Sequence, residues 1–144
     1  MRRKASDQRM AEELAARGLR ATRQRVGVLR LLRRATGHPT AAEVHRSVRR
    51  EQPNVSLKTI YESLDSLVGA GLAACVVEGG EPYRYEARSE PHYHARCRVC
   101  GSLEDLMPHS DGHIRARTAI PEGFAVERIS VTIVGRCPRC RDDF

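Results

Sequence analysis

The sequence predicts an α+β protein whose N-terminal half is helical and whose C-terminal part is built from short strands. Apolar residues recur at helical spacing through residues 7–71. From residue 72 the pattern changes to short runs of β-branched and aromatic residues, separated by turns that contain Gly and Pro. Two Cys-x-x-Cys pairs lie in the last part of the chain, so a small C-terminal lobe has the means to close on a metal ion.

Two helices are predicted before residue 37. Residues 7–17 place their apolar side chains on one face, and Gly18 is a natural stop. Thr22 can cap a second helix, because its hydroxyl accepts a hydrogen bond from a backbone amide of the first turn, and this helix ends near Thr36. Residues 1–6 are basic and are expected to form a mobile arm.

Two further helices are predicted between residues 40 and 71. The segment Thr40-Ala41-Ala42-Glu43 has the form of a capping box, in which the threonine hydroxyl and the glutamate carboxylate satisfy free backbone amides. The helix that it begins runs toward Arg50. Ser56 can cap a fourth helix, whose apolar face continues until the glycines at 69 and 71.

A β-hairpin is predicted after the fourth helix. Residues 72–77 and 83–85 are its strands, and segment 78–82 is its turn. Helices followed by such a hairpin give the order of elements in a winged helix-turn-helix domain. In the rest of the chain, strands are expected over residues 95–99, 101–106 and 124–135, and a helix over residues 110–119.

The predicted domains differ in charge. We expect a winged-helix domain over residues 1–86, a polar hinge over 87–91 and a small α/β domain over 92–144. Residues 1–60 hold 15 lysines and arginines against 5 aspartates and glutamates, whereas residues 61–144 hold 10 against 13. A basic N-terminal lobe favours nucleic acid as a partner, although a solvated arginine-rich surface would give the same composition.

The sequence gives no sign of a membrane protein or an enzyme. No run approaches the roughly 18 apolar residues that a membrane span needs, and no hydrophobic signal stretch opens the chain. A cytoplasmic location is therefore expected. There is no Gly-rich phosphate loop and no nucleophile motif, so we expect neither catalysis nor a small-molecule substrate.

The four cysteines of the two pairs predict a closed, structural zinc site. The Cys-x-x-Cys spacing lets both thiolates of a pair reach one tetrahedral ion, and the ligands would be Cys97, Cys100, Cys137 and Cys140. Two disulfides are the alternative, but a reducing cytosol favours zinc. A thioredoxin-like redox role is less favoured, because neither pair follows a strand in a βαβ pattern.

A second group of residues has the chemistry of a divalent metal site. His92 and His94 lie two residues apart, so an extended backbone places both imidazoles on one side. Glu86 and, past the first cysteine pair, Glu104-Asp105 are close in sequence, and His38 precedes the third helix. Imidazoles together with carboxylates suit Fe(II), Mn(II) or Zn(II) better than Mg(II) or Ca(II). A pair of exposed or core histidines is the alternative.

The fourth helix is the candidate element for a DNA major groove. Its apolar face must then point into the protein, which leaves Glu62, Ser63 and Ser66 on the face toward DNA together with the first turn. Basic side chains there would neutralise phosphates without reading sequence. Tyr61 lies at the edge of the apolar face and could either contact a base or pack in the core. The residues expected to contact DNA are Arg20, Arg23, Ser56, Lys58, Thr59 and Tyr61.

These residues together resemble the ferric uptake regulator family. The match runs in order from residue 19 to residue 140, which is nearly the whole chain. It consists of Leu19-Arg20-Ala21-Thr22-Arg23-Gln24-Arg25, His38-Pro39-Thr40-Ala41, Val55-Ser56 with Thr59-Ile60-Tyr61, Gly71-Leu72, Tyr83-Arg84-Tyr85-Glu86, His92-Tyr93-His94, Cys97-x-x-Cys100-Gly101 and Gly135-x-Cys137-x-x-Cys140.

The resemblance implies a homodimeric, metal-dependent transcription factor that binds a palindromic DNA operator, usually as a repressor. It implies that the four cysteines hold structural zinc, and that Arg20, Ser56, Thr59 and Tyr61 match positions near DNA. Glu62 is a departure, because members commonly carry Arg there.

Within the family the pattern is most similar to the peroxide-responsive regulators. The five positions of their regulatory Fe(II) or Mn(II) site fall on His38, Glu86, His92, His94 and Asp105. Glu86 departs from the aspartate that is usual in peroxide sensors and matches the iron-uptake repressors. The resemblance therefore implies a peroxide-sensing repressor. The alternatives are an iron-uptake regulator, a zinc-responsive regulator and a structural zinc-binding interaction module.

Overall fold

The computed structural model describes residues 2–76, 82–87, 90, 92–108, 119–126 and 129–141. The chain divides into two compact units, Met1–Ser89 and Glu90–Phe144. The first unit combines helices with a hairpin and the second contains a small sheet, so the predicted α+β class is confirmed. None of the helices in the described part of the chain combines the length and apolar character that crossing a bilayer requires.

The N-terminal unit contains four helices among its described residues. They are α1 (Arg2–Ala16), α2 (Arg23–Arg34), α3 (Ala41–Val48) and α4 (Leu57–Gly69). The expectation of a mobile arm before residue 7 was wrong, because α1 already begins at Arg2. Arg3, in the first turn of α1, forms an ion pair with Glu51, which lies in the turn after α3.

The predicted caps of three helices are confirmed. Thr22 Oγ1 accepts from the backbone N–H of Arg25 at 3.2 Å. Thr40 and Glu43 form the reciprocal capping box at the start of α3, with N···O distances of 3.2 and 2.8 Å. Ser56 Oγ accepts from the N–H of Thr59 at 3.1 Å. Each cap supplies an acceptor for an amide that the helix itself leaves without one.

Among the described residues, the hairpin is shorter at its start than the sequence pattern suggested, because its first strand begins at Ala74 and not at residue 72. Its strands are β1 (Ala74–Val76) and β2 (Arg84–Glu86), which pair antiparallel with Cys75 opposite Tyr85. The predicted turn at 78–82 lies mostly outside the described residues. Helix α3 likewise ends two residues before Arg50, since residues 49–51 form turns.

One apolar core joins the helices of the N-terminal unit. Leu14, Leu29, Ile60, Leu64 and Leu67 are fully buried and come from α1, α2 and α4. They lie at the positions that the helical periodicity assigned to the inner faces. This packing fixes the orientation of α4 and therefore decides which of its side chains remain exposed.

The C-terminal unit contains a three-stranded sheet in the order β4-β3-β5. The strands are β3 (Tyr93–Cys97), β4 (Leu103–Leu106) and β5 (Thr132–Gly135). β3 pairs antiparallel with β4 and parallel with β5. The long strand expected over 124–135 was wrong in length, because residues 124–126 and 129–131 are not in a strand. The helix expected over 110–119 lies almost wholly outside the described residues.

Candidate metal centres and nucleic-acid interface

The sheet of the C-terminal unit brings the two cysteine pairs together. Cys97 ends β3 and Cys137 follows β5, and the parallel pairing of these strands places Cys97 opposite Gly135. The sulfurs of Cys97, Cys100, Cys137 and Cys140 lie within 4.8 Å of one another. All four are free thiols, so the disulfide alternative is not observed.

The spacing of the sulfurs fits a tetrahedral zinc ion. The Sγ atoms of Cys100 and Cys137 are 3.7 Å apart. A tetrahedron with Zn–S bonds of about 2.3 Å has sulfurs about 3.8 Å apart. The backbone N–H of Cys137 also points at Cys97 Sγ, at a distance of 3.3 Å, as it would toward a thiolate ligand.

The pKa values of these thiols show why a cation suits the cluster. Hydrogen bonds from the backbone of Cys100 and then of Cys137 lower the pKa of Cys97 to about 6. The neighbouring Cys137 side chain, followed by burial, raises the pKa of Cys140 to about 12. Four sulfurs this close cannot all be negatively charged unless a cation lies among them. The group therefore fits a closed site for Zn²⁺.

The N-terminal unit positions one imidazole beside one carboxylate. The loop before α3 is fixed to β2 by the hydrogen bond from Tyr85 N–H to Pro39 O at 2.9 Å, and by a second from Arg84 Nη1 to His38 O at 2.9 Å. This leaves His38 Nε2 3.1 Å from Oε2 of Glu86. Both residues are buried, with 8% and 7% of their surface exposed.

The C-terminal unit positions two imidazoles beside another carboxylate. His94 on β3 is the cross-strand partner of Asp105 on β4. The rings of His92 and His94 lie on the same side, with centroids 4.7 Å apart. Their Nε2 atoms are 3.8 and 3.6 Å from Oδ1 of Asp105. The alternation predicted for the His-Tyr-His segment is therefore observed.

Both groups have the mixed nitrogen and oxygen donors that borderline divalent ions prefer. A backbone contact also orients one of the imidazoles, since His92 Nδ1 lies 2.8 Å from the carbonyl oxygen of Glu90. A hydrogen bond at Nδ1 leaves Nε2 as the atom available for a metal, which is the usual arrangement of a ligating histidine. The residues present therefore fit Fe(II), Mn(II) or Zn(II).

Helix α4 presents a polar face to solvent. Lys58 and Tyr61 are exposed, and the 43% exposure of Tyr61 shows that it does not pack in the core. Ser56 is exposed but its hydroxyl caps the helix and contacts Thr59 Oγ1 at 2.9 Å. The expectation that Ser63 faces outward was wrong, because it is buried and donates to the carbonyl of Thr59.

Two basic residues before and at the start of α2 are also exposed. The guanidinium of Arg20 forms no hydrogen bond or ion pair with the described residues, and Arg23 donates to the carbonyl of Glu51 at 3.1 Å. Sequence reasoning missed Arg25, which links the same segment to α4. Its guanidinium donates to the carbonyl of Arg20 at 3.0 Å and to Ser66 Oγ at 3.2 Å. The sequence could not single out Arg25 among the arginines of this helix, because only its contacts in the folded structure distinguish it.

Most of the chain is similar in sequence to known proteins. The profile of the ferric uptake regulator family matches residues 16–134. The ferric uptake regulation protein 2 of Mycolicibacterium fortuitum is 35% identical over 125 residues, which is 85% of this chain and 86% of that protein. The peroxide operon regulator of Bacillus subtilis is 30% identical over 90% of this chain and 89% of its own.

A solved structure is similar over a comparable length. It is the ferric uptake regulator of Pseudomonas aeruginosa with manganese, and the match has a TM-score of 0.71 at 27% identity. The match covers 90% of this chain and 98% of that one. Sequence and fold therefore agree on the same group of relatives.

Proposed function

The chain belongs to the ferric uptake regulator family, and we propose that it is a dimeric repressor whose binding to a palindromic operator depends on a labile metal ion. Members of this family are metal-responsive transcriptional regulators and not enzymes. The observation that carries the proposal is that each unit groups imidazole and carboxylate side chains whose chemistry suits a divalent metal ion. His38 and Glu86 provide two donors in one unit, and His92, His94 and Asp105 provide three in the other.

Neither partial set fills the coordination sphere of Fe(II) or Mn(II) by itself. The five side chains together would hold one such ion and leave room for a small molecule. When bound, the ion supplies a link between the two units, and Fe(II), unlike Mn(II), also reduces peroxide. The cysteine cluster is separate in this proposal, because its four thiolates close the coordination of Zn²⁺ and leave no open position.

The N-terminal unit is the DNA-binding part in this proposal, and its helices and hairpin form a winged helix-turn-helix. Helix α4 enters the major groove, and the exposure of Lys58 and Tyr61 supports this role. Arg20, Arg23 and Lys58 neutralise phosphates, whereas Ser56, Thr59 and Tyr61 approach the bases. Two recognition helices of a dimer must reach successive major-groove faces about 34–36 Å apart, so a fixed orientation of the units favours binding.

The C-terminal unit is the dimerisation part in this proposal. Within the described residues, β5 lies at the edge of its sheet and pairs only with β3. Ile133 and Val134 on this strand are 56% and 55% exposed. An edge strand with exposed apolar side chains is a template for pairing with a second chain, which supports a homodimer.

The energy that such a switch requires is modest. Shifting a two-state equilibrium from 1:99 to 99:1 takes about 5.5 kcal/mol of differential affinity. Two sites in a dimer, each at about 100 times its Kd, supply about 2.7 kcal/mol each. The two regulatory sites of a dimer therefore suffice.

We place the protein among the peroxide-responsive regulators, with iron-dependent regulation of iron uptake as the second candidate. The His-Tyr-His segment with Asp105 and the similarity to the peroxide operon regulator favour the first. Glu86 and the 35% identity to a ferric uptake regulation protein favour the second. By resemblance to the peroxide-responsive regulators, the imidazoles of His38 and His92 are the side chains that peroxide would oxidise.

Peroxide treatment of the Fe(II) form separates the two candidates. The anaerobic Fe(II) protein receives a brief peroxide pulse, and its peptides are analysed by mass spectrometry beside the Mn(II) form as a control. A peroxide sensor gains one oxygen atom on a peptide that holds His38 or His92 and loses operator binding. Unmodified histidines with intact DNA binding in the Fe(II) form would refute peroxide sensing and leave the iron-uptake regulator.

A chelator experiment tests the structural zinc-binding module as an alternative. A chelator that removes the labile ion but leaves the cysteine-bound zinc should abolish specific DNA binding if the protein is a regulator. A purely structural module has no specific DNA binding to lose. Affinity measured against salt concentration distinguishes specific binding from simple charge attraction.

A further inference from the structure

A cavity of about 720 Å³ lies between α2 and α3 in the N-terminal unit. This volume is in the range of small-molecule sites in proteins. Its walls are the C-terminal half of α2, the loop that follows it, α3 with the turn after it, and the first residue of β2. Five arginines line it, and they are Arg30, Arg34, Arg46, Arg50 and Arg84.

The carboxylates of this cavity are already engaged by other groups. Glu51 forms ion pairs with Arg30 and Arg3. Glu43 accepts from the N–H of Thr40 in the capping box and forms an ion pair with Arg84, with an N···O distance of 4.0 Å. These two glutamates are the acidic residues in the lining, so little negative charge is left to balance the remaining arginines.

Three of the five arginines do not pair with a carboxylate of the described residues. Arg30 is buried and contacts both Asp7 and Glu51, whereas Arg84 pairs with Glu43 and donates to the carbonyl of His38. By contrast, the guanidinium groups of Arg34, Arg46 and Arg50 form no hydrogen bond or ion pair with any residue in the described part of the chain, and all three are exposed at the cavity. Like charges gathered in one concave site repel one another until an anion binds among them.

We propose that this cavity is a binding site for a small anion with two or more negative charges, held by Arg34, Arg46 and Arg50. Guanidinium groups bind carboxylate and phosphate oxygens through paired hydrogen bonds, so both chemistries fit. A free small anion suits the position better than a DNA phosphate, because no residue of α4 lines the cavity. Arg34 is also far from Arg23, which we proposed as a contact to DNA phosphate. The two residues lie at opposite ends of α2, about 16 Å apart along the helix axis at 1.5 Å per residue.

Titration calorimetry on the full-length, zinc-loaded protein tests this site. The probes are inorganic phosphate and the tricarboxylate tricarballylate, each compared with chloride at the same ionic strength. We expect saturable binding of one anion per chain. The double variant Arg46→Gln/Arg50→Gln should weaken this binding by about tenfold or more, because it removes two charged hydrogen-bonding partners.

The double variant Lys4→Gln/Arg9→Gln is the matched control, since it removes the same charge from residues of α1 outside this cavity. It should leave anion binding unchanged. Equal weakening in both double variants, or heats that never saturate, would mean that only general charge attraction is present and would overturn the proposal.

Binding to a DNA duplex of unrelated sequence shows whether these arginines bind a small anion or the phosphates of DNA. The proposal predicts that both double variants weaken binding to this duplex to the same extent. A loss of duplex binding confined to Arg46→Gln/Arg50→Gln, with no anion binding in the unaltered protein, would assign these arginines to the DNA backbone instead.

Discussion

The Nε2 atom of His38 lies 3.1 Å from Oε2 of Glu86, and both side chains are buried in the N-terminal unit. A nitrogen and an oxygen atom that could both bind a metal ion are thus held close together. The hydrogen bonds of Tyr85 and Arg84 to the loop of His38 maintain this arrangement. Donors fixed in advance lose less conformational entropy when a metal binds.

Replacement of Glu86 by Gln should therefore weaken Mn(II) binding. The amide lacks the negative charge, so affinity should fall by more than the roughly 10–100-fold that loss of an outer-shell partner costs. Calorimetry of the zinc-loaded protein with Mn(II) measures this. Glu104→Gln is the control, because Glu104 is exposed and precedes Asp105 on β4. Equal Mn(II) affinity in both variants would exclude Glu86 as a ligand.

The cysteine cluster should determine whether the C-terminal unit folds. Cys137→Ser removes one thiolate, and structural zinc in small domains contributes on the order of 10–16 kcal/mol to folding. We expect this variant to lose zinc and to become sensitive to proteolysis within residues 90–144. Cys75→Ser is the control, since Cys75 lies on β1 of the other unit. Full zinc content in Cys137→Ser would show that the four sulfurs do not bind it together.

Gly27 on α2 faces the buried side chain of Gln52. A Cβ at Gly27 would lie 2.8 Å from Gln52 Nε2, which donates to the carbonyl of Arg23 at 3.0 Å. Alanine gains about 1 kcal/mol of helix propensity, but loss of this hydrogen bond costs about 1–3 kcal/mol. We expect Gly27→Ala to be neutral or destabilising in urea denaturation.

The effect of Gly27→Ala on stability should become favourable when the side chain of Gln52 is shortened. In a Gln52→Ala background, Gly27→Ala should stabilise by up to about 1 kcal/mol, because only the helix propensity remains. Gly69→Ala, which meets no atom within 4 Å, is the reference for an unhindered site. If Gly27→Ala stabilises equally in both backgrounds, the contact with Gln52 has no energetic weight.

The proportion of the fold that sequence alone predicts differs between the two units. In the N-terminal unit, helix periodicity and the caps at Thr22, Thr40 and Ser56 are local signals, and the boundaries were nearly right. The start of α1 was missed, and its first turn contacts a distant part of the sequence through the ion pair of Arg3 with Glu51. Local propensity does not contain such a contact.

The C-terminal unit depends on distant pairing, and there the predictions were weaker. β5 pairs in parallel with β3 across a long stretch of chain, so its length is set by its partner and not by its own alternation. The cysteines were predictable because metal geometry restricts their spacing. The exposure of Tyr61 and the burial of Ser63 required the packing of α4, since both lie near the edge of its apolar face.

Lys58 should contribute affinity for DNA without sequence preference. Its side chain is exposed, and Nζ lies 3.8 Å from Oε1 of Glu62. An ion pair between two such exposed side chains adds little stability. Lys58→Ala should lower affinity for operator and unrelated duplexes alike and reduce the slope of log K against log salt by about 1. Arg98→Ala is the control, because Arg98 is exposed and lies in the C-terminal unit, and this variant should leave the slope unchanged. An unaltered slope in Lys58→Ala would place this side chain away from phosphate.

The most direct test of the central claim is operator affinity measured by fluorescence anisotropy with and without Mn(II). The operator duplex is first selected from random-sequence DNA in the presence of Mn(II), and zinc content is measured in every sample. We predict that Mn(II) raises the affinity of the unaltered protein by about 5–150-fold, the usual range of coupling between two sites. His92→Ala should keep its zinc and lose this response. Equal operator affinity with and without Mn(II), in zinc-loaded and folded protein, would contradict the account.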